Sequence, residues 1–353
     1  MASKDEILSN MLSDVPDDYD KRAGSFIYDA LVPAAEQFEQ TDVSIQTVKD
    51  KLSINNLAGD ELAQRINERT GITRKTATKA TGSVVLTGTG TIHIGDLFET
   101  AGGTQFQATE TKPIVLSGSV SIEAVIAGSS GNVAANTITL FPVTLTGFTA
   151  VNNPGQTMDG FEEESDTDLL QRYFDRIQTP ATSGNKAHYR NWAKEVSGVG
   201  DARIISLWDG DNTVKVVVID ANRLPASTQL VSNVQEYIDP GVSGLGEGAA
   251  PIGAFVTVAS AAAVEINISV SIVLSTGYTQ QQAEGHIEDS LVQYFRDVAF
   301  VESIVSYGKT GAAILASDGV EDYSDLLING SNSNIAIGTE NVPVLGTVSV
   351  NVT

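Results

Sequence analysis

Residues 25–53 read SFIYDALVPAAEQFEQTDVSIQTVKDKLS. Ile27, Leu31, Ala34, Phe38, Ile45, Val48 and Leu52 recur at alternating steps of four and three, with Thr41 in the one polar slot. That 3.5-residue period keeps one apolar seam turned to the same side over several turns, as packing against another helix demands. A helix packed only within its own domain drifts off such a seam and carries a wider stripe. This alternative, a helix folded back on its own chain, stays open. Pro33 removes one helical hydrogen bond and predicts a kink in the first turns. The spacing predicts one long helix from Ser25 to Ser53, with the seven apolar residues as a partner-binding surface.

Around this stretch the chain has 353 residues, beyond the size at which one core keeps growing, so roughly two to four domains are expected. No apolar run reaches the ~18 residues needed to span a bilayer. The acidic, polar start MASKDEILSNML does not read as a secretory signal, and a soluble, unprocessed chain is expected. The absence of cysteine excludes disulfides, thiolate nucleophiles and thiolate metal sites together. A net charge of −23 repels phosphate backbones, and the basic run Arg74-Lys75 with Lys79 is too small to offset it.

Before the long helix, Ser3 and Glu6 have capping-box spacing ahead of Ile7, Leu8, Met11 and Leu12. After it, Asp60 is expected to cap a short helix carrying Leu62 and Ile66 and ending at Gly71. From Gly82 the pattern changes to short strands between glycine turns: Ser83–Leu86, Thr91–Ile94, Gln105–Ala108, Ile114–Leu116 and Ser121–Ile126. A small sandwich or barrel follows from that spacing, closed by the turn residues 151–155. Two helices come next, one capped by Ser165 behind an acidic first turn, the other burying Tyr189, Trp192, Ala193 and Val196. The remainder mixes strands and helices: a hairpin about Asp209–Asn212, a helix capped by Ser227, and the glycine-rich connection 241–248. A long strand Val264–Leu274 and a helix Thr279–Val298 burying Ala283, Ile287, Leu291, Phe295 and Val298 follow. The expected class is α+β and multidomain, with N-terminal helices (1–78), a β-rich domain (79–158) and two α+β domains (159–259 and 260–353). APIGAFVTV at Ala250 and VPVLGTVSV at Val342 hint at a distant repeat.

Catalytic candidates are few. His93, His188 and His286 fall in three different elements, and none has the zincin order. Asp209-Gly-Asp211-Asn212 offers oxygen ligands, but an EF-hand count from Asp209 puts Val214 sixth and Asp220 twelfth, so the match fails. The run Glu162–Asp168 holds five acids and reads as a helix amino terminus in water. GVSGLGEG lies between helix and strand, the reverse of a phosphate loop, and there is no Gly-x-Ser-x-Gly elbow. No catalytic residue, metal site or cofactor is assigned. Strand edges in 83–150 and 262–276 carry few charges and are expected to need cover from partner chains.

Several stretches together resemble the baseplate J-like proteins of contractile phage tails: Gly24-Ser25-Phe26-Ile27-Tyr28-Asp29, Gly59 with Leu62, and Gly71-Ile72-Thr73-Arg74. Ala77–Gly82, the Gly-Asn-Val turn at Gly131, the acidic Glu-Ser-Asp entry at Glu164, Ser183-Gly184 with Tyr189, and the exit Gly198-Val199-Gly200 continue the resemblance. It implies a structural, non-enzymatic wedge subunit of a phage, prophage or phage-tail-like bacteriocin baseplate. The implied partners are other copies of the chain and other wedge proteins, among them a lysozyme-like wedge protein and a tail-protein-I-like partner. No nucleic acid, membrane or small-molecule substrate is implied. The N-terminal helices would join the bundle, and residues from about 260 onward would link wedges into a ring. The implied location is the tail particle, assembled in the host bacterial cytoplasm. Domains joined at Met158–Asp166 and near Ser260 are expected to pivot when the baseplate changes state. A surface adhesin or glycan-binding β protein, and a tail-associated cell-wall hydrolase, are the alternatives.

Overall fold

The computed structural model describes residues 2–178, 182 and 184–353. The Thr179-Pro180 break and Ser183 of the helix-start pattern therefore lie outside the described residues. The chain is α+β and multidomain, and it separates into two compact units, Met1–Arg74 with Ser165–Tyr173, and Lys75–Glu164 with Phe174–Thr353.

The first unit is helical. α1 (Lys4–Ser13) starts at the expected capping box between Ser3 and Glu6 and buries Leu8. α2 (Phe26–Asp50) is capped by Ser25, whose Oγ accepts the Tyr28 N–H at 3.2 Å. It runs through Pro33 as one element. α3 (Gly59–Thr70) buries Leu62 and Ile66 and ends at Gly71 with φ +73°, as expected. Asp60 is not its cap: it sits in the first turn, and the Gly59 N–H is instead taken by the Asp166 carboxylate at 2.8 Å, 107 residues away. Arg74 pairs with the other Asp166 oxygen and also donates to the Gly59 carbonyl at 3.1 Å. α4 (Asp166–Gln178) begins behind Ser165, whose Oγ accepts the Asp168 N–H.

The second unit opens with a barrel-like sheet. β1 (Thr81–Gly88), β2 (Gly90–Ile92), β3 (Leu97–Thr100), β4 (Gln105–Ala108), β5 (Lys112–Ile114), β6 (Ser117–Ala124), β7 (Ile138–Leu140) and β8 (Phe148–Asn152) are its strands. Six of them form a sheet in the order β7-β3-β4-β6-β1-β8, and β2 pairs with β5. Val84, Leu86, Phe98, Phe106, Val120, Ile122 and Ile138 point into one core. The fourth expected strand is shifted: Val115 and Leu116 lie beyond β5 in a turn where Leu116 takes φ +66°, outside the extended region of a regular strand. β3, β7 and β8 were not expected. β8 reaches into the stretch read as a closing turn, with Val151 buried.

Two three-stranded sheets follow. α5 (Lys186–Glu195), β9 (Val199–Ser206), β10 (Thr213–Asp220), α6 (Thr228–Ile238) and β11 (Phe255–Ser260) build the first, where β10 lies between antiparallel β9 and parallel β11. Ser227 caps α6 as expected, and Leu230, Val234 and Ile238 face Val216, Val218, Val256 and Val258. The glycine-rich 241–248 connection is held rather than loose. Buried Asp239 accepts N–H groups from Ser243, Gly244 and Val256 at 3.1, 3.1 and 2.9 Å.

The last part comprises β12 (Ala262–Leu274), α7 (Gln280–Val298), β13 (Ile304–Val305), α8 (Tyr307–Leu315), β14 (Val320–Ile328), β15 (Ile335–Ala336) and β16 (Asn341–Val352). All five residues expected to face inward from α7 do so, against Ile266, Ile268, Val270 and Ile272 of β12. The expectation that β12 needs a partner chain at its edges is overturned. β14 pairs along one edge and β16 along the other, so Ile266, Ile268, Val270 and Ile272 form the centre of a core while Glu265 stays exposed. The hinted repeat is not carried by topology: the central strand comes second of three in one sheet and first of three in the other.

Neither expected pivot is a bare linker. Met158 and Thr81 exchange backbone hydrogen bonds of 3.0 and 2.7 Å, and the Thr78 N–H donates to the Phe161 carbonyl at 2.9 Å. The Phe161 ring is buried in the core beneath α6, tying the barrel to the central sheet. Near Ser260, the Ala261 N–H donates to the Val218 carbonyl, and Ala261 packs with Val217, Ile219, Ala299 and Val342.

Candidate partner-binding surface

α1 packs against α2 beside the seam rather than on it. Leu8 and Ala35 are buried, the Lys4 N–H donates to Glu39 at 3.0 Å, and the Lys4 ammonium pairs with Glu36 at 2.6 Å. At about 100° per residue Ala35, Glu36 and Glu39 lie off the stripe begun by Ile27, Leu31 and Ala34, which are half-buried. Further along the same stripe, Phe38, Ile45 and Val48 are 56%, 47% and 62% exposed. Leu52 is a correction. α2 ends at Asp50 with Lys51 as its C-cap, and Leu52 lies past the helix in the turn leading to buried Ile54. The site residues are thus one strip of six on the helix, its first half partly covered and its second half open, with Leu52 just beyond.

Among the described residues no comparable constellation for chemistry is present. His93 is exposed, while the His286 Nδ1–H donates to the Asp318 carbonyl at 2.9 Å. His188 lies 3.9 Å over Trp192, accepts the Gly184 N–H, and is held below the usual histidine range by burial. Among the described residues no three histidine or carboxylate side chains gather as a metal site would require, and no helix is long and apolar enough to cross a membrane. The acidic run expected to sit in water is in fact engaged. Glu162 accepts from the Ser129 N–H and hydroxyl, Glu164 from the Lys75 N–H, and Asp166 from Gly59 and Arg74. These hydrogen bonds hold the Glu162 and Asp166 carboxyls below the ordinary carboxylate range. Sequence spacing gave no signal for such partners, which lie 33 to 107 residues away.

The described fold is thus a helical start, a small barrel-like sheet and two mixed three-stranded sheets. Three family descriptions match in order: Baseplate J-like protein barrel domain over 76–160, Baseplate J-like central domain over 181–260, and Baseplate J-like protein C-terminal domain over 266–351. The chain is 35% identical over 345 residues to the phage-like element PBSX protein XkdT of Bacillus subtilis strain 168, covering 98% of this chain and 96% of that one. It is 36% identical over 347 residues to a second protein of that strain, YqbT, covering 98% and 97%. To baseplate protein gp47 of Escherichia phage Mu it is 32% identical over 225 residues, covering 60% and 61%. The chain belongs to the baseplate J-like family.

Proposed function

We propose that this chain is a structural wedge subunit of the baseplate of a contractile phage tail or tail-like particle, without catalytic activity. Its α2 seam joins the helices of other wedge subunits, and the segment from about 260 onward links neighbouring wedges into a ring. The proposed working division is 1–78 for assembly, 79–158 and 159–259 for the body, and 260–353 for the ring. Its place is the tail particle, built in the cytoplasm of the host bacterium. The observation that carries this reading is the open half of the α2 seam: three large exposed apolar side chains, Phe38, Ile45 and Val48, in line with the half-buried Ile27, Leu31 and Ala34. Isolated exposed apolar residues are ordinary, but an aligned stripe continuing a half-buried one marks an interface. The family supplies the setting. The test is co-expression of the full chain with the other wedge proteins of its particle. Ile45→Asp with Val48→Asp should abolish co-purification while the chain's melting temperature stays unchanged. Undiminished co-purification would remove the seam from the assembly.

A further inference from the structure

β9 is the outer strand of the central sheet, and its free edge opens into a groove. The Leu207 N–H donates to the Thr213 carbonyl at 2.8 Å, which sets the antiparallel register. Counting back in twos, Ile205, Arg203 and Asp201 turn their N–H and C=O groups to β10, so Ala202, Ile204 and Ser206 turn theirs outward. The outward Ala202 N–H is taken by the Asp201 carboxylate at 2.8 Å. Among the described residues, nothing bonds the outward N–H or C=O of Ile204. Beside this edge lies a groove of about 290 Å³, to which α5 contributes Lys186, Ala187 and Arg190, β9 contributes residues 201–204, and Phe300 adds an aromatic face.

The other strand edges near it are blunted. On β11 the Gln235 side chain donates to the Val256 carbonyl and accepts the Val258 N–H, while on β16 Gln280 donates to the Val350 carbonyl. Such cover is the usual defence of an edge strand, and the β9 edge at Ile204 lacks it. The groove's charge is also opposite to that of the chain. Arg190 is matched by Asp201 through contacts of 2.7 and 2.9 Å. Arg203 has no carboxylate partner among the described residues: it donates to the Thr339 carbonyl and lies 4.8 Å over the Phe300 ring. Lys186 likewise forms no ion pair among the described residues. Two unmatched cations thus flank an open strand edge in a protein of net charge −23.

We propose that the Ile204 edge receives an extended, acidic segment of another polypeptide, which adds as a strand outside β9 with its carboxylates toward Lys186 and Arg203. Backbone pairing supplies the affinity of such a mode, and the flanking side chains supply its selectivity. The test uses the full chain and two fluorescein-labelled eight-residue probes, one alternating Val with Glu and one alternating Val with Lys, read by anisotropy. The Val/Glu peptide should bind saturably and the Val/Lys peptide should not. Ile204→Pro removes an outward N–H without touching the β9–β10 ladder and should weaken binding by about tenfold or more, measured below the variant's own melting temperature because the Ile204 side chain also packs on the central core. Lys186→Glu should weaken it several-fold. Amide exchange in the unsubstituted chain gives a reading independent of the variants: Ile204 and Ser206 should slow when the Val/Glu peptide is present. Equal binding of both peptides, or no slowing at Ile204, overturns the proposal. A dimer of the chain alone that Ile204→Pro abolishes would overturn the stated occupant in favour of a second copy.

Discussion

The side-chain oxygen of Asn153 lies 2.8 Å from the N–H of Ile138, and the asparagine is completely buried. The same oxygen accepts the Thr137 N–H at 2.9 Å, and the amide nitrogen donates to the carbonyls of Ala134 and Gly155 at 2.8 and 2.9 Å. Asn153 follows β8, and Ile138 opens β7, the two outermost strands of the six-stranded sheet. One side chain therefore does between these ends what a strand ladder does elsewhere.

Asn153→Ala leaves the N–H groups of Thr137 and Ile138 and the Gly155 carbonyl without their partner, while the Ala134 carbonyl keeps the Thr137 hydroxyl at 2.7 Å. A cost of about 3 kcal/mol is expected, since each buried orphan is worth about 1–3 kcal/mol and water recovers part of it. Amide exchange at Ile138 should speed up far more than at Val234 in the central core. Equal acceleration at both would mean that Asn153 stabilises the whole chain rather than the closure.

Much of the architecture was legible because it rests on local rules. α7 shows its buried face as Ala283, Ile287, Leu291, Phe295 and Val298 at helical spacing, and Ser3, Ser227 and Thr279 announce the starts of their helices. β3 was missed because Leu97 and Phe98 stand side by side, so Leu97–Thr100 lacks the polar–apolar alternation that Gln105–Ala108 shows. The edge reading of β12 failed for another reason. An alternating strand with Glu265 as its one charge looks the same whether its neighbours are its own β14 and β16 or another chain. Asn153, Asp166 and Gln235 were illegible as strap, cap and edge cover because each acts on backbone 15 to 107 residues away. In the seam, the sequence showed the period but not that α1 packs on the adjoining face, against Ala35.

Gly198 and Gly200, part of the exit motif, have separate steric reasons. Gly198 has φ +89°, and a Cβ there would meet the Phe161 ring at 2.7 Å; at Gly200 it would lie 2.2 Å from the Asp220 carbonyl oxygen. The second collision is with backbone, which cannot rotate away. Gly200→Ala is expected to cost about 3 kcal/mol, whereas Gly210→Ala, at φ +100° in open space, should cost about 1 kcal/mol. Urea unfolding followed by the tryptophans, Trp192 and Trp208, reports on this region, and equal midpoints for the two variants would refute the assignment.

Asp220 is pushed up to about 6, chiefly by burial and further by Asp159, against the opposing Leu224 and Asn222 N–H groups and Arg296. An unfolded aspartate titrates near ~3.9. The folded state therefore binds this proton more tightly than the unfolded one, and stability falls as pH rises from ~4 to ~6, then levels. A shift of this size corresponds to about 3 kcal/mol of lost stability above pH ~6. Asp220→Asn keeps an acceptor for Leu224 and should raise the melting temperature at pH ~7.5 while leaving it unchanged at pH ~4. A uniform shift at both would exclude titration as the cause.

Asp166 has the opposite sign. The Gly59 N–H and Arg74 hold its carboxyl below the ordinary range, so its contribution is present above ~3.9 and is lost as pH falls through the folded value. Asp166→Ala is expected to cost about 1 kcal/mol, the usual worth of a helix cap, and to loosen α3 first. Amide exchange at Leu62 and Ile66 near neutral pH should accelerate in the variant, and acidification should narrow the difference. Unchanged exchange at both residues would show that α3 does not depend on this cap.

Val43 separates a seam from mere exposure. It is 49% exposed, close to Ile45 at 47%, yet two residues along a helix places it on a different face. If exposed apolar surface alone drove association, Val43→Asp and Ile45→Asp would weaken it alike. If the stripe through Phe38, Ile45 and Val48 is buried against another helix, only the second is costly. Covering each such side chain is worth about 1.5–3 kcal/mol, and a buried unpaired carboxylate adds to the loss. Ile45→Asp should therefore weaken association with the partner helices by about a hundredfold or more, and Val43→Asp by less than about threefold. Sedimentation of the co-expressed assembly across a concentration series would measure both, and equal losses would reduce α2 to an ordinary exposed helix.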